Sequence, residues 1–381
     1  MAVLRVPVDQ KVIHWAIDHG EKTEAELMKK YRLRTWENPT TSQDYPTFKQ
    51  LQDFSRDTRI PFNYFFKSEL PREENDFVRF RTVNNAAVQP SRRLIETIHT
   101  MGSRQEWLKQ YLLDQDDNSR FKFSHFFTSQ MDPVVVAQNV SDLLELPPMA
   151  NLTISDDDFF NLLRRKISAL GIMVMQSGIV GSNTRRPLNV AEFRAFVLVD
   201  EVVPLIFINS GDSKKAKIFS LIHELIHAFL GSNEILNVSP EADIVTERWI
   251  NAVTINILLP VNVVRRALVS RESAVENLKR LSKKFHVSVV AVAIRLKTLG
   301  IYGEAELAWA QRYQEAGLQA KARPAGGNFY NTAVSRVDPR YANAVINDES
   351  QGKLGVATAA SMLGVTLKTY DATVDRIMGM A

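Results

Sequence analysis

Residues 218–230 read Ile218-Phe219-Ser220-Leu221-Ile222-His223-Glu224-Leu225-Ile226-His227-Ala228-Phe229-Leu230. All but four positions are apolar. The exceptions, Ser220, His223, Glu224 and His227, share one face at helical spacing, so the stretch predicts a buried helix with a single polar stripe. His223 and His227, at i and i+4, stand one above the other and can reach one metal ion. Glu224 then lies beside that ion. Zinc lowers the pKa of a bound water, and a neighbouring carboxylate can take its proton and pass it to a leaving amine, which is metal-assisted amide hydrolysis. If the histidines were merely core residues, Glu224 would be an unpaired carboxylate on a helix otherwise fit for burial, at a cost of several kcal/mol.

A third ligand is expected from the next helical segment, Ala242 to Leu259. Here Glu247 and Asn251 lie one turn apart on a polar stripe that also holds Asp243 and Thr254. Glu247 would complete a two-His, one-Glu zinc site, with Asn251 orienting a ligating histidine from behind. By spacing alone Glu241 and Asp243 are rivals. The donor set also suits iron and other first-row ions, and the HExxH arrangement makes zinc, one per chain, the first choice.

Upstream, Asp156 to Leu170 has an amphipathic helical pattern followed by strand-like Gly171 to Met175. Phe193 to Val199 and Val203 to Ile208 are two further β-like runs, so a small sheet precedes the key helix. An edge strand over Val203–Ile208 would let an extended substrate add beside the site. Downstream the pattern is helical to about Tyr313, with breaks at Pro260 and Gly300. The expected class is α+β, mainly helical, with a zincin-like core on a small sheet between helical flanking modules. The segments are a helical module over 1–66, a helical scaffold over 67–150, the metalloprotease core over 151–319, and a linker with a small helical module over 320–381. Thr47 and Gln50 have capping-box spacing, and Asp132-Pro133 opens another helix. Leu281 to Lys297 imitates helix-turn-helix patterning, but Val289, Val290, Val292 and Ile294 are core-like. The phenylalanines at 121, 123, 126 and 127 around His125 read as core.

Composition narrows the class. The 381 residues are 45% hydrophobic and include no cysteine, which excludes disulfides and Cys-ligated metals. No stretch approaches the roughly 20 apolar residues that span a bilayer, and the N-terminus lacks a signal peptide's apolar core, so a cytoplasmic protein with no membrane partner is expected. The net charge is +4, and residues 261–381 carry 17 Lys and Arg against 10 Asp and Glu. That excess permits nucleic-acid contact without demanding it.

The sequence resembles the ImmA/IrrE family of metalloendopeptidases. The likeness rests on Glu192-Phe193-Arg194-Ala195-Phe196, Pro204 to Asn209, Ile218 to His227, Glu247-Arg248-Trp249-Ile250-Asn251 and Leu258-Leu259-Pro260. It implies Glu247 as the third zinc ligand. Thr254-Ile255-Asn256 departs from the Ala-Ala-Glu usual at that place. Trp36-Glu37, Pro46-Thr47, Gln50-Leu51 and Ile60-Pro61-Phe62 look like the degenerate helix-turn-helix segment of longer members. Met28 to Trp36 is too short to hold a recognition helix, so DNA binding by this module is not expected.

The resemblance implies a site-specific endopeptidase that cleaves an Xre-type helix-turn-helix repressor and so relieves transcriptional repression in phage, mobile-element or stress responses. The alternative is an antitoxin-like or regulatory subunit that grips a partner, such as a toxin-like protein, with a structural or vestigial zinc. An intact Glu224 argues against it, because a structural metal needs no general base.

Overall fold

The computed structural model describes residues 4–67, 69–70, 90–115, 121–231, 240–319 and 328–379, with the side chains of 240–243 and 318–319 outside the description. Of the linker expected over Ala320 to Asn328, residues 320–327 lie outside the described residues, while Asn328 caps the helix that starts at Phe329. The chain divides into two units, one formed by 1–77 with 87–99 and the other by 78–86 with 100–381.

The first unit contains α1 (Gln10–Asp18), α2 (Glu24–Met28), α3 (Leu33–Glu37) and α4 (Phe48–Thr58), then a 3-10 turn over Phe62–Phe66. Thr47 caps α4 in the expected capping box with Gln50. Ile13, Leu27, Leu33, Leu51, Phe54 and Phe65 form its core. Both α2 and α3 are only five residues long. The first turns of α5 (Arg92–Asp114) belong here as well. Arg92 Nε donates to Arg59 O at 2.9 Å and Arg93 Nε to Glu21 Oε1 at 2.8 Å.

The second unit is mainly helical around a three-stranded mixed sheet, an α+β arrangement. It runs through α6 (Pro133–Leu143), α7 (Asp156–Ala169), β1 (Met173–Ser177), β2 (Ala195–Leu198), β3 (Leu205–Asn209) and α8 (Lys214–Leu230). The helices α9 (Pro240–Leu258), α10 (Val261–Ala267), α11 (Ala274–Lys284), α12 (Val289–Thr298) and α13 (Glu304–Gln319) follow. Last come α14 (Phe329–Arg336), α15 (Pro339–Ser350), α16 (Val356–Leu363) and α17 (Leu367–Met378). Among the described residues no helix is long and apolar enough to cross a membrane.

The strand order is β1-β3-β2, with β1 parallel and β2 antiparallel to β3. This corrects the expected edge strand over Val203–Ile208. β3 is central, its backbone is committed on both sides, and all five residues are buried. A substrate strand can add only at an outer strand, and β1 is already strapped there. Val174 N donates to Asp338 Oδ2 at 3.0 Å, and Gln176 Nε2 donates to Ser335 O at 2.9 Å. Arg164 ties the strap down, with Nη1 donating to Ser335 O at 2.9 Å and Nη2 to Val174 O and Val337 O at 3.1 and 3.2 Å. The C-terminal helices thus pack onto the three-stranded sheet through buried polar bonds that no hydrophobic period announces.

α8 packs against β2, β3, α7 and α9, and from Ser220 to Leu230 only His227 is not fully buried. Each of its large apolar side chains contributes about 1.5–3 kcal/mol by burial. Ser213 caps its start by accepting from Ala216 N, and Lys215 Nζ donates to Ser282 O and Oγ at 2.8 Å, which seats α11 beneath it. The α11–α12 pair is therefore packed against the core, although Ile294 is 49% exposed rather than buried. The aromatic cluster also divides: Phe121 and Phe127 are buried, while Phe126 and His125 are exposed.

Candidate metal centre

The polar stripe of α8 faces α9, and there His223, His227 and Glu247 converge. His227 Nε2 lies 3.2 Å from His223 Nε2 and 3.0 Å from Glu247 Oε1, and His223 Nε2 lies 3.4 Å from Glu247 Oε2. Donors about 2.0–2.1 Å from a tetrahedral zinc sit about 3.3 Å apart, so these spacings match the edges of such a tetrahedron. Two imidazole nitrogens and one carboxylate oxygen are a fitting donor set for zinc. Among the described residues this is the group of His, Asp and Glu side chains close enough to share an ion. The site opens on one side: the His223 side chain is 1% exposed, that of His227 13%, and that of Glu247 36%.

Burial by itself would raise the pKa of the Glu247 carboxyl. Hydrogen bonds and charge from His223 and His227 outweigh it and hold the group well below the ordinary carboxylate range. The ligand is therefore anionic at neutral pH, as metal binding requires. Glu224 is buried between the two histidines in sequence, and Asn251 is half-buried one turn beyond Glu247. The side chains of the rivals Glu241 and Asp243 lie outside the described residues.

Residues 167–297 match the model of Peptidase_M78, the IrrE N-terminal-like domain. This segment belongs to the Peptidase_M78 family. The matched segment runs from the last residues of α7 into α12 and contains all of His223, Glu224, His227, Glu247 and Asn251. The match bears out the ImmA/IrrE resemblance and supports a metallopeptidase type of function. The chain matches no curated protein and no solved structure.

At Thr254-Ile255-Asn256, the departure noted in the sequence, the side chains are engaged locally. Asn256 Oδ1 accepts from Arg295 Nη2 at 2.5 Å, and Arg295 Nε also donates to Leu259 O at 3.1 Å. Thr254 is fully buried in the interior of α9. Residue types alone give no hint of His125, which the structure sets against the C-terminal end of α8, because that placement depends on how a distant loop docks.

Proposed function

We propose that this chain is a zinc-dependent endopeptidase whose Glu224 is the general base and whose ligands are His223, His227 and Glu247, with one ion per chain. The reading is carried by three donor atoms at tetrahedral-edge spacing beside a buried glutamate, and it is supported by the M78 match. A bound zinc would acidify a water and polarise the scissile carbonyl. Glu224 takes the proton of the attacking water and hands it to the leaving amine, a role suited to a carboxylate held out of bulk solvent. The buried α8 stripe fixes His223, and Glu247, fastened to both imidazoles, holds the pair in register. Asn251, on the same face of α9, serves as an orienting residue for the ligands. With β1 strapped by Asp338 and Ser335, an extended substrate adds along the outer side of β2.

The substrate expected from the family resemblance is a helix-turn-helix repressor of the Xre type, whose cleavage relieves repression in the cytoplasm. Elemental analysis of wild type and His223→Ala, alongside incubation with a repressor encoded next to this chain, tests the reading. About one zinc per chain, lost in the variant, and discrete cleavage that stops on chelation are the expected results. Partner capture that persists without cleavage would favour the antitoxin-like reading instead. No metal after zinc loading would refute the peptidase.

A further inference from the structure

The outward face of α4 carries Lys49, Gln52, Asp53 and Arg56 at i, i+3, i+4 and i+7, opposite the buried Leu51, Phe54 and Thr58. Together with Phe62 of the following 3-10 turn, these four residues line an open cleft of about 840 Å³. The Phe62 ring packs edge to face against Phe48 at 5.3 Å and Phe66 at 5.1 Å, so three aromatic rings form one row beside the cleft. Edge-to-face packing fixes these rings without hiding them. Phe48 is 39% exposed and Phe66 54%, whereas Phe54 and Phe65 of the same stretch are buried in the core of the first unit. The module thus closes its core and still holds a second, rigid aromatic surface in solvent. Contiguous apolar surface rimmed by polar groups marks a place where another molecule binds.

Charge narrows what that molecule is. Arg56 pairs with Asp53 inside the cleft. Lys49, two turns earlier on the same face, is exposed and has no carboxylate partner among the described residues. The cleft therefore presents two cations against one carboxylate that is already engaged. A second copy of the chain docking through a two-fold axis would set this face against itself, and Lys49 would meet no unpaired carboxylate there. A phosphate backbone would meet Asp53, and rings set edge to face offer no parallel stack for bases. A bilayer surface does not enter a concave cleft.

We infer that this face is a docking site for a segment of a partner protein whose apolar side chains are bordered by Asp or Glu. The apolar anchors cover Phe48, Phe62 and Phe66, and the flanking carboxylates pair with Lys49 and Arg56. The site belongs to the first unit, outside the match at 167–297, and does not rest on the peptidase reading.

Selection of a displayed random-peptide library on the full chain tests this, with Glu224→Gln in place so that no bound peptide is cut. Counter-selection on the same chain with Phe66→Ser removes peptides that bind elsewhere. The surviving peptides are expected to carry Leu, Phe or Trp bordered by Asp or Glu. By fluorescence anisotropy, a survivor should bind Phe48→Ser at least about tenfold more weakly, the scale of a lost aromatic anchor. Lys49→Glu should weaken it several-fold at low salt, the difference narrowing as salt rises. All three replaced side chains are exposed, and unchanged circular-dichroism melts show that the module stays folded. No survivors, survivors without an acidic bias, or indifference to Phe48→Ser or Lys49→Glu would overturn the inference. So would tighter Phe66-dependent binding of oligo-dT or of phosphatidylserine vesicles, which would give the face to nucleic acid or membrane. A Phe66-dependent dimer in sedimentation would give it to a second copy and overturn the inference equally.

Discussion

Replacing Asp338 by alanine should unfasten the C-terminal helices from the sheet that supports the metal centre. Asp338 is 1% exposed. Its Oδ2 accepts from Val174 N at 3.0 Å, and its Oδ1 caps α15 by accepting from Arg340 N at 2.9 Å and Tyr341 N at 3.4 Å. It is also the acid whose charge acts on the buried guanidinium of Arg164. Losing the cap costs about 1 kcal/mol. A buried amide left without an acceptor costs about 1–3 kcal/mol more. An uncompensated buried charge pushes the total towards about 3–5 kcal/mol. For a unit of this size each kcal/mol moves the melting temperature by about 2–4 °C, so a fall of about 10 °C or more is expected. Thermal melts followed by circular dichroism measure it, with Asp338→Asn, whose amide oxygen still accepts, falling between wild type and alanine. Glu145→Gln is the control, since Glu145 is paired with Lys166 but 79% exposed at its side chain, and its melting temperature should stay close to that of wild type. A drop below about 3 °C for Asp338→Ala would show that the strap does not hold the sheet.

Glu224→Gln should retain about one zinc by elemental analysis and lose cleavage by at least about a hundredfold, the scale of a missing general base. Retained cleavage would remove Glu224 from the chemistry. Gly231→Ala places a methyl against the backbone of the 124–125 loop at a left-handed position, and a loss of about 2–4 kcal/mol in urea titration is expected. Asp57 bears on acid stability. Burial would raise its pKa, but hydrogen bonds from Lys30, Lys22 and Tyr31 outweigh burial and hold it well below its ordinary 3.8. Because the folded pKa is the depressed one, its stabilisation is full above about pH 4 and fades as pH falls further towards the folded value. Hydrogen exchange of α4 amides should therefore accelerate between pH 4 and pH 2 in wild type, once corrected for intrinsic rates, and change much less in Asp57→Asn, already destabilised at neutral pH. Parallel profiles would contradict that assignment.

What the sequence by itself determined were the elements whose signal is local. The apolar run broken by Ser220, His223, Glu224 and His227 specified a buried helix with one polar stripe, because 3.6-residue geometry leaves no other way to bury Ile218 to Leu230. The capping box at Thr47, the Asp132-Pro133 start and the three strand-like runs were legible for the same reason: caps and periods act within a few residues. Strand order was not legible. The runs at 173–177, 195–198 and 205–209 are alike in composition, and which one lies in the middle is settled by pairing across the chain, so the strand expected at an edge is central. Spacing offered Glu247 alongside Glu241 and Asp243, and the family resemblance favoured it, yet its 3.0–3.4 Å distances exist only because α9 packs against α8. Two further features came entirely from tertiary structure: the strap of Asp338 on Val174, 164 positions apart, and the seating of His125 over Gly231. Each depends on one polar or strained residue meeting a distant backbone, and such meetings leave no periodic trace in the amino-acid order.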